Sequence, residues 1–293
     1  MKGWLLLMAA CCAVITAPPW ARADDLPPES LTAEERRSRA QELSDEAARQ
    51  LENRKYREAV ATLNEALRYE PDSAALYTAK GWVSFYGGSL DYALKHFETA
   101  LELNPTHVKA LNGKGMILLG QDRFDEAAKT FARALRYVPD HAPTWRLWGT
   151  AHLKAGRPNA ALEAFHRATQ LAPEEPDGWE LKGTALFALG RHEDALKVYE
   201  RSLALDPESE EAWLSKGACQ VKLDRPEEGL ESYEKALRQN PMSVVALYNK
   251  GVTLQSLGRQ DEARRQLRKA LAIRPGYPEA RAALDALDAK SRN

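Results

Sequence analysis

Six histidines and three cysteines have the widest chemical reach in this 293-residue chain, and their spacing gives them little to do. His107 and His141 occupy the same phase of a repeat and fall in successive turns. Each brings one imidazole, with no cysteine or carboxylate placed to complete a metal site, so both are expected in solvent. His152 lies on an apolar helical stripe and reads as a packed ring rather than a base. Cys219 follows Ala218 inside an expected helix, the place of a small buried thiol. No glycine-rich phosphate loop, zinc spacing or nucleophile motif occurs, and no stretch outside the repeat could hold a catalytic domain. No catalytic residue, metal ligand or cofactor is therefore assigned, and a non-enzyme is expected. Contact chemistry remains, carried by side chains such as Trp82, Met116 and Arg146, since interfaces are enriched in aromatic residues, Met and Arg.

The elements that position those side chains follow a strict period. Pro71, Pro105, Pro139, Pro173, Pro207, Pro241 and Pro275 stand 34 residues apart, the signature of a repeat array. In phase with them the chain divides into units 40–73, 74–107, 108–141, 142–175, 176–209, 210–243 and 244–277. In the unit from Ala142, Trp145, Trp148, Gly149 and His152 fall at i, i+3, i+4 and i+7, the stripe of a first helix. Ala161, Phe165 and Ala168 mark the buried face of a second, so each unit is a helical hairpin. A short turn such as Ala155-Gly156-Arg157-Pro158 joins the two. Pro158 and Pro226 open second helices, where a missing N–H is harmless, and the periodic prolines close them. Abundant Ala, Leu, Glu, Lys and Arg point to an all-α chain, and units that pack only on their neighbours make one continuous domain. Residues 24–31 read as a linker. Thr32-x-x-Glu35 is a capping box opening a helix whose start, 32–39, runs into the first unit. Residues 278–293 form a capping helix and tail, with Leu284 and Leu287 covering the last unit and Arg281, Asp285 and Asp288 facing water.

Small residues recur where helices must approach closely. The eighth position reads Ala47, Gly81, Gly115, Gly149, Gly183, Gly217 and Gly251, although an interior glycine costs about 1 kcal/mol of helix propensity relative to alanine. Ala59, Ala93, Ala127, Ala161, Ala195, Gly229 and Ala263 are expected to form the opposite wall. With the aromatic positions and the closing proline, these residues resemble the tetratricopeptide repeat across all seven units. One departure is systematic. Where that family usually has Leu before the Gly, this chain has Lys80, Lys114, Lys182, Lys216 and Lys250, a row whose stems are expected to pack while the ammoniums reach water.

The resemblance implies a right-handed α-solenoid of seven hairpins plus the capping helix, with stacked first helices lining a concave side that grips peptide segments. The fifth, ninth and twelfth residues of each unit share the helix face beside the buried stripe. On that face the expected partner-binding residues are Trp82, Phe85, Asn112, Met116, Arg146, Thr150, Glu180, Thr184, Leu214 and Tyr248. Repeats that hold acidic chaperone C-termini carry Lys and Asn there. Here Thr78 is paired with Trp82 and Asn112 with Met116, so that clamp is absent.

Residues 1–23 read as a secretory leader: Lys2, an apolar stretch from Trp4 to Ile15, Pro18-Pro19, and Ala21-Arg22-Ala23 as a cleavage site. The apolar stretch would reach about 18 Å as a helix, short of the ~30 Å membrane core. Met8-Ala9-Ala10-Cys11 resembles the lipid-attachment box of bacterial lipoproteins and offers a second route, a lipid anchor. Cleavage after Ala23 removes Cys11 and Cys12 and leaves Cys219 without an intramolecular partner. A net charge of −1 gives no footprint for nucleic acid. The reading is an exported, periplasmic, non-enzymatic scaffold or peptide-binding adaptor with a protein or peptide partner. The alternative is a membrane-tethered assembly factor for an envelope complex such as a pilus or outer-membrane machine.

Overall fold

The computed structural model describes residues 27–290. The leader with its cleavage site, Cys11 and Cys12, the start of the linker and the last three residues lie outside the described residues.

Those described form fifteen α-helices and no strand. After a 3₁₀ turn at Pro28–Ser30 come α1 (Ala33–Glu52) and α2 (Tyr56–Tyr69), then α3 (Ala74–Tyr86) and α4 (Leu90–Leu103), α5 (Val108–Gly120) and α6 (Phe124–Tyr137). The series continues with α7 (Ala142–Lys154), α8 (Pro158–Leu171), α9 (Pro176–Ala188), α10 (His192–Leu205), α11 (Glu210–Lys222), α12 (Pro226–Gln239), α13 (Val244–Ser256), α14 (Gln260–Ile273) and α15 (Pro278–Lys290). Two compact units divide between Gly113 and Lys114, inside α5.

Helix starts follow local chemistry. Thr32 and Glu35 close the capping box, with Thr32 N donating to Glu35 Oε2 at 2.8 Å and Glu35 N to Thr32 Oγ1 at 3.2 Å. Ser73, Ser209 and Ser243 cap α3, α11 and α13. His141 is exposed, as expected of a turn residue, yet it also caps α7, because its Nδ1 accepts from Thr144 N at 3.3 Å. Each hairpin turn contains one residue in the left-handed region, at the repeat spacing. Gly88, Gly156, Gly190 and Gly258 fill four of these sites, while Arg54, Asp122 and Asp224 adopt φ near 58–59° in the other three.

Packing within each hairpin pairs a small residue with a large one. A Cβ added to Gly81 would lie 2.5 Å from the Phe97 ring. In the second compact unit, a Cβ on Gly115, Gly149, Gly183 or Gly217 would lie 2.5–2.6 Å from Phe131, Phe165, Tyr199 or Tyr233. The residue facing the glycine is thus the ring, four positions beyond the alanine expected there; Ala93, Ala127 and Ala161 are buried alongside. Leu63 stands at the ring position in the first hairpin and shares its buried cluster with Ala47, whereas Leu267 in the last hairpin lies 2.9 Å from where a Cβ on Gly251 would be.

The first compact unit gathers Leu31, Leu43, Leu63, Tyr69, Leu76 and Val83 into one cluster. In the second, Leu284 and Leu287 of α15 join Leu267, Leu271 and Leu254, which is the cover expected of a terminal helix. Asp288 does not simply face water. Arg264 Nε bonds its carboxylate at 3.0 Å, while Arg264 Nη2 donates to Leu287 O at 2.9 Å and ties down the end of α15.

Candidate functional site

In the first compact unit, the first-helix face opens into an apolar cleft of about 680 Å³ lined from α1, α3 and the start of α5. Ala48 and Leu51 of α1, Thr78, Trp82 and Tyr86 of α3, and His107 and Lys109 around the start of α5 are among its lining residues. Trp82 is held by rings: Phe85 at 5.7 Å edge-on, Tyr86 at 6.0 Å stacked and Phe97 at 5.3 Å edge-on. Phe97 lies fully buried beneath and fixes the indole, while Tyr86 stays 58% exposed. His107 is half-buried rather than in open solvent. Its Nδ1 lies 3.3 Å from Thr78 Oγ1, and burial, then Lys109, lowers its pKa.

Other residues expected on this face have varied surroundings. Phe85 is half-buried against Trp82, and Asn112 is buried, leaving a partner little of it to touch. In the second compact unit, Met116 packs partly against the cluster around Leu118 and Phe131. Arg146 is engaged by its own chain, with Nη1 2.7 Å from Glu175 Oε2 and 3.4 Å from Asp177 Oδ2. Thr150 and Thr184 donate to carbonyls one turn back, of Arg146 at 2.9 Å and of Glu180 at 3.0 Å. Glu180 accepts from Ser209 Oγ at 3.2 Å, and burial, reinforced by Glu211, pushes its pKa up to about 7. Leu214 borders a second cleft with Glu211, Ala218 and Val245, and Tyr248 meets Tyr277 edge-on at 5.4 Å.

The lysine row is more tied down than expected. Lys216 Nζ lies 2.9 Å from Glu200 and Lys250 Nζ 2.8 Å from Glu234, both glutamates sixteen positions upstream on the preceding second helix. These lysine side chains are only 18% and 16% exposed. Lys182 meets His166 at the same spacing, 3.3 Å away, and lies over Trp179.

Neither remaining chemical candidate acquires a reactive setting. Cys219 is fully buried, and burial pushes its thiol up to about 12, far from a reactive thiolate. His152 packs edge-on to Trp148 at 4.7 Å. Among the described residues no group of three or more His, Cys, Asp and Glu side chains could hold a metal ion.

The cleft also takes in Ser44, Ala48, Leu51 and Tyr86, which the sequence does not single out. The first three are the fifth, ninth and twelfth residues of the repeat starting at Ala40, so the same positional rule reaches them. Tyr86 lies one residue past the face, and only its exposure marks it.

Helical hairpins at this period, with an apolar cleft on their first helices, define a helical-repeat interaction protein. Tetratricopeptide repeat family models match residues 44–91, 78–142, 146–210 and 214–278, so the chain belongs to the tetratricopeptide repeat family and has the fold of a protein-interaction scaffold. No curated protein matches it. Among solved structures, it resembles a tetratricopeptide repeat protein from Parabacteroides merdae, with TM-score 0.67 and 14% identity over 85% of this chain and 99% of that one. A chain of the APC/C hetero-tetramer Cut9–Hcn1 gives TM-score 0.68 and 16% identity over 82% of this chain, which spans about half, 48%, of that one. YrrB, described as a tetratricopeptide protein with an unusual peptide-binding site, gives TM-score 0.55 and 24% identity over 64% of this chain and 97% of that one.

Proposed function

We propose that this protein is an exported, periplasmic scaffold that binds an apolar segment of a partner protein in the cleft of its first compact unit. The observation that supports this best is Trp82, in contact with three rings beside the exposed Tyr86 and lining the same cleft as Ala48 and Leu51. A rigid aromatic anchor in an apolar recess is the usual centre of a binding surface. YrrB, of the same fold, is described as having a peptide-binding site. Export follows from Ala21-Arg22-Ala23 behind the apolar leader.

The test compares capture of envelope proteins by wild type, Trp82→Ala, Tyr86→Ala and Glu163→Lys, an exposed position on α8 of the second compact unit. The first two are expected to weaken capture by more than about 1 kcal/mol, and the third to change it little because exposed single charges contribute little. Circular dichroism checks the fold, since Trp82 also touches Phe97. Normal capture by folded Trp82→Ala and Tyr86→Ala would overturn the proposal. Intact mass decides how the chain is released: a species starting at Asp24 supports export as a soluble protein. One starting at a lipid-modified Cys11 favours the membrane-tethered assembly factor instead.

A further inference from the structure

We propose a second binding site in the first compact unit, separate from the Trp82 cleft, in which Lys80 and Arg57 receive the carboxylates of an acidic partner segment. The site is an open cleft of about 610 Å³ between α2, α3 and α4, and among the described residues no carboxylate lines it. Its charged and polar walls are Arg57, Asn64 and Tyr56 from α2, Lys80 and Ser84 from α3, and Tyr92 and His96 from α4.

The chain supplies its own template for what belongs there. Around Lys216, the equivalent lysine in the second compact unit, the corresponding positions carry Glu193, Glu200 and Glu228. Glu200 binds the lysine at 2.9 Å, while Glu228 is held ionised mainly by its hydrogen bond to Arg225, with a smaller contribution from the lysine's charge. Around Lys80 these three positions are Arg57, Asn64 and Tyr92. Three potential carboxylates have become a cation, an amide and an aromatic ring, while the half-buried lysine remains. Lys250 repeats the template, with Glu234 at 2.8 Å.

Lys80 therefore keeps a partly desolvated charge whose internal counter-ion is missing, and burial alone lowers its pKa. His96 adds no charge near neutrality, because burial, then Lys80 and Lys95, pushes it down to about 4. An incoming carboxylate would take the place that Glu200 and Glu234 hold elsewhere. Tyr92, 68% exposed, offers a face for the apolar residue beside it.

The site does not rest on the Trp82 cleft, and its test leaves Trp82 untouched. The probes are acetyl-Glu-Leu-Glu-amide and its neutral counterpart acetyl-Gln-Leu-Gln-amide, titrated into the mature protein with the His96 imidazole followed by NMR. Wild type is expected to bind the glutamate peptide at least about tenfold more tightly, the factor that separates a charge-assisted contact from a neutral one. Binding is also expected to raise the His96 pKa. Lys80→Met should reduce the preference, and Asn64→Glu, which restores the internal partner on an exposed position, should abolish it without disturbing the fold. Equal affinity for the two peptides, or a preference that survives Asn64→Glu, would overturn the proposal.

Discussion

A single methyl group decides whether a hairpin can close. The ring of Phe165 occupies the space that a Cβ on Gly149 would need, 2.5 Å away, so Gly149→Ala must move either a buried aromatic or the helix. Overpacking of this kind costs about 1–3 kcal/mol, more than the helix propensity alanine would contribute. Denaturant unfolding should show the loss, and it should be relieved in Gly149→Ala with Phe165→Leu, which copies the Ala47–Leu63 pairing. Glu180 makes a different residue-scale prediction. Its carboxyl titrates at about 7 when folded against 4.5 as a free side chain, so the native state holds the proton more tightly. Its contribution is most favourable at acidic pH and falls as pH rises through 7, with Glu211, Asp177 and Ser209 facing it. Melting temperatures of wild type and Glu180→Gln from pH 5 to 8 should diverge, the wild type losing ground as pH increases. A constant difference would mean that Glu180 is not strained.

At the scale of elements, the hairpin turns and the terminal helix carry the clearest expectations. Asp224 holds φ at 59°, the place glycine fills in four other turns. Asp224→Gly is expected to change stability by less than about 1 kcal/mol, because relief of strain offsets the added freedom of the unfolded chain. Leu287, 1% exposed, carries the cover supplied by α15. Leu287→Ala should cost about 2–5 kcal/mol in thermal or denaturant unfolding. A change below ~1 kcal/mol would mean that α15 is only a tail. Much of this architecture was legible in the sequence because a 34-residue period places the closing prolines, the small residues and the large apolar residues in register. The contact of Gly81, Gly115, Gly149, Gly183 and Gly217 with a ring was not, because periodicity names the face a residue lies on but not the atom it meets. Nor were the ion pairs of Lys216, Lys250 and Arg146, which depend on how far a long side chain reaches toward its neighbour.

At the scale of the molecule, repetition accounts for the fold, and the proposed binding sites are departures from it. Stability in such an array is close to a sum of unit and neighbour terms, so one hairpin can diverge while the others hold it in place. In the first compact unit Trp82 and Tyr86 border an apolar cleft, and Lys80 of the row has Arg57, Asn64 and Tyr92 where Lys216 has glutamates. The expected site residues are spread over six repeats, whereas the structure gives them unequal scope, with Asn112 buried and Arg146 held by Glu175 and Asp177. The most direct measurement places a photo-crosslinking amino acid at Tyr86 or, as a control, at Glu163, and irradiates cells that express the protein. Binding in the Trp82 cleft predicts a discrete adduct from position 86 that disappears with Trp82→Ala, and none from position 163. An adduct from position 163 with nothing from position 86 would contradict it.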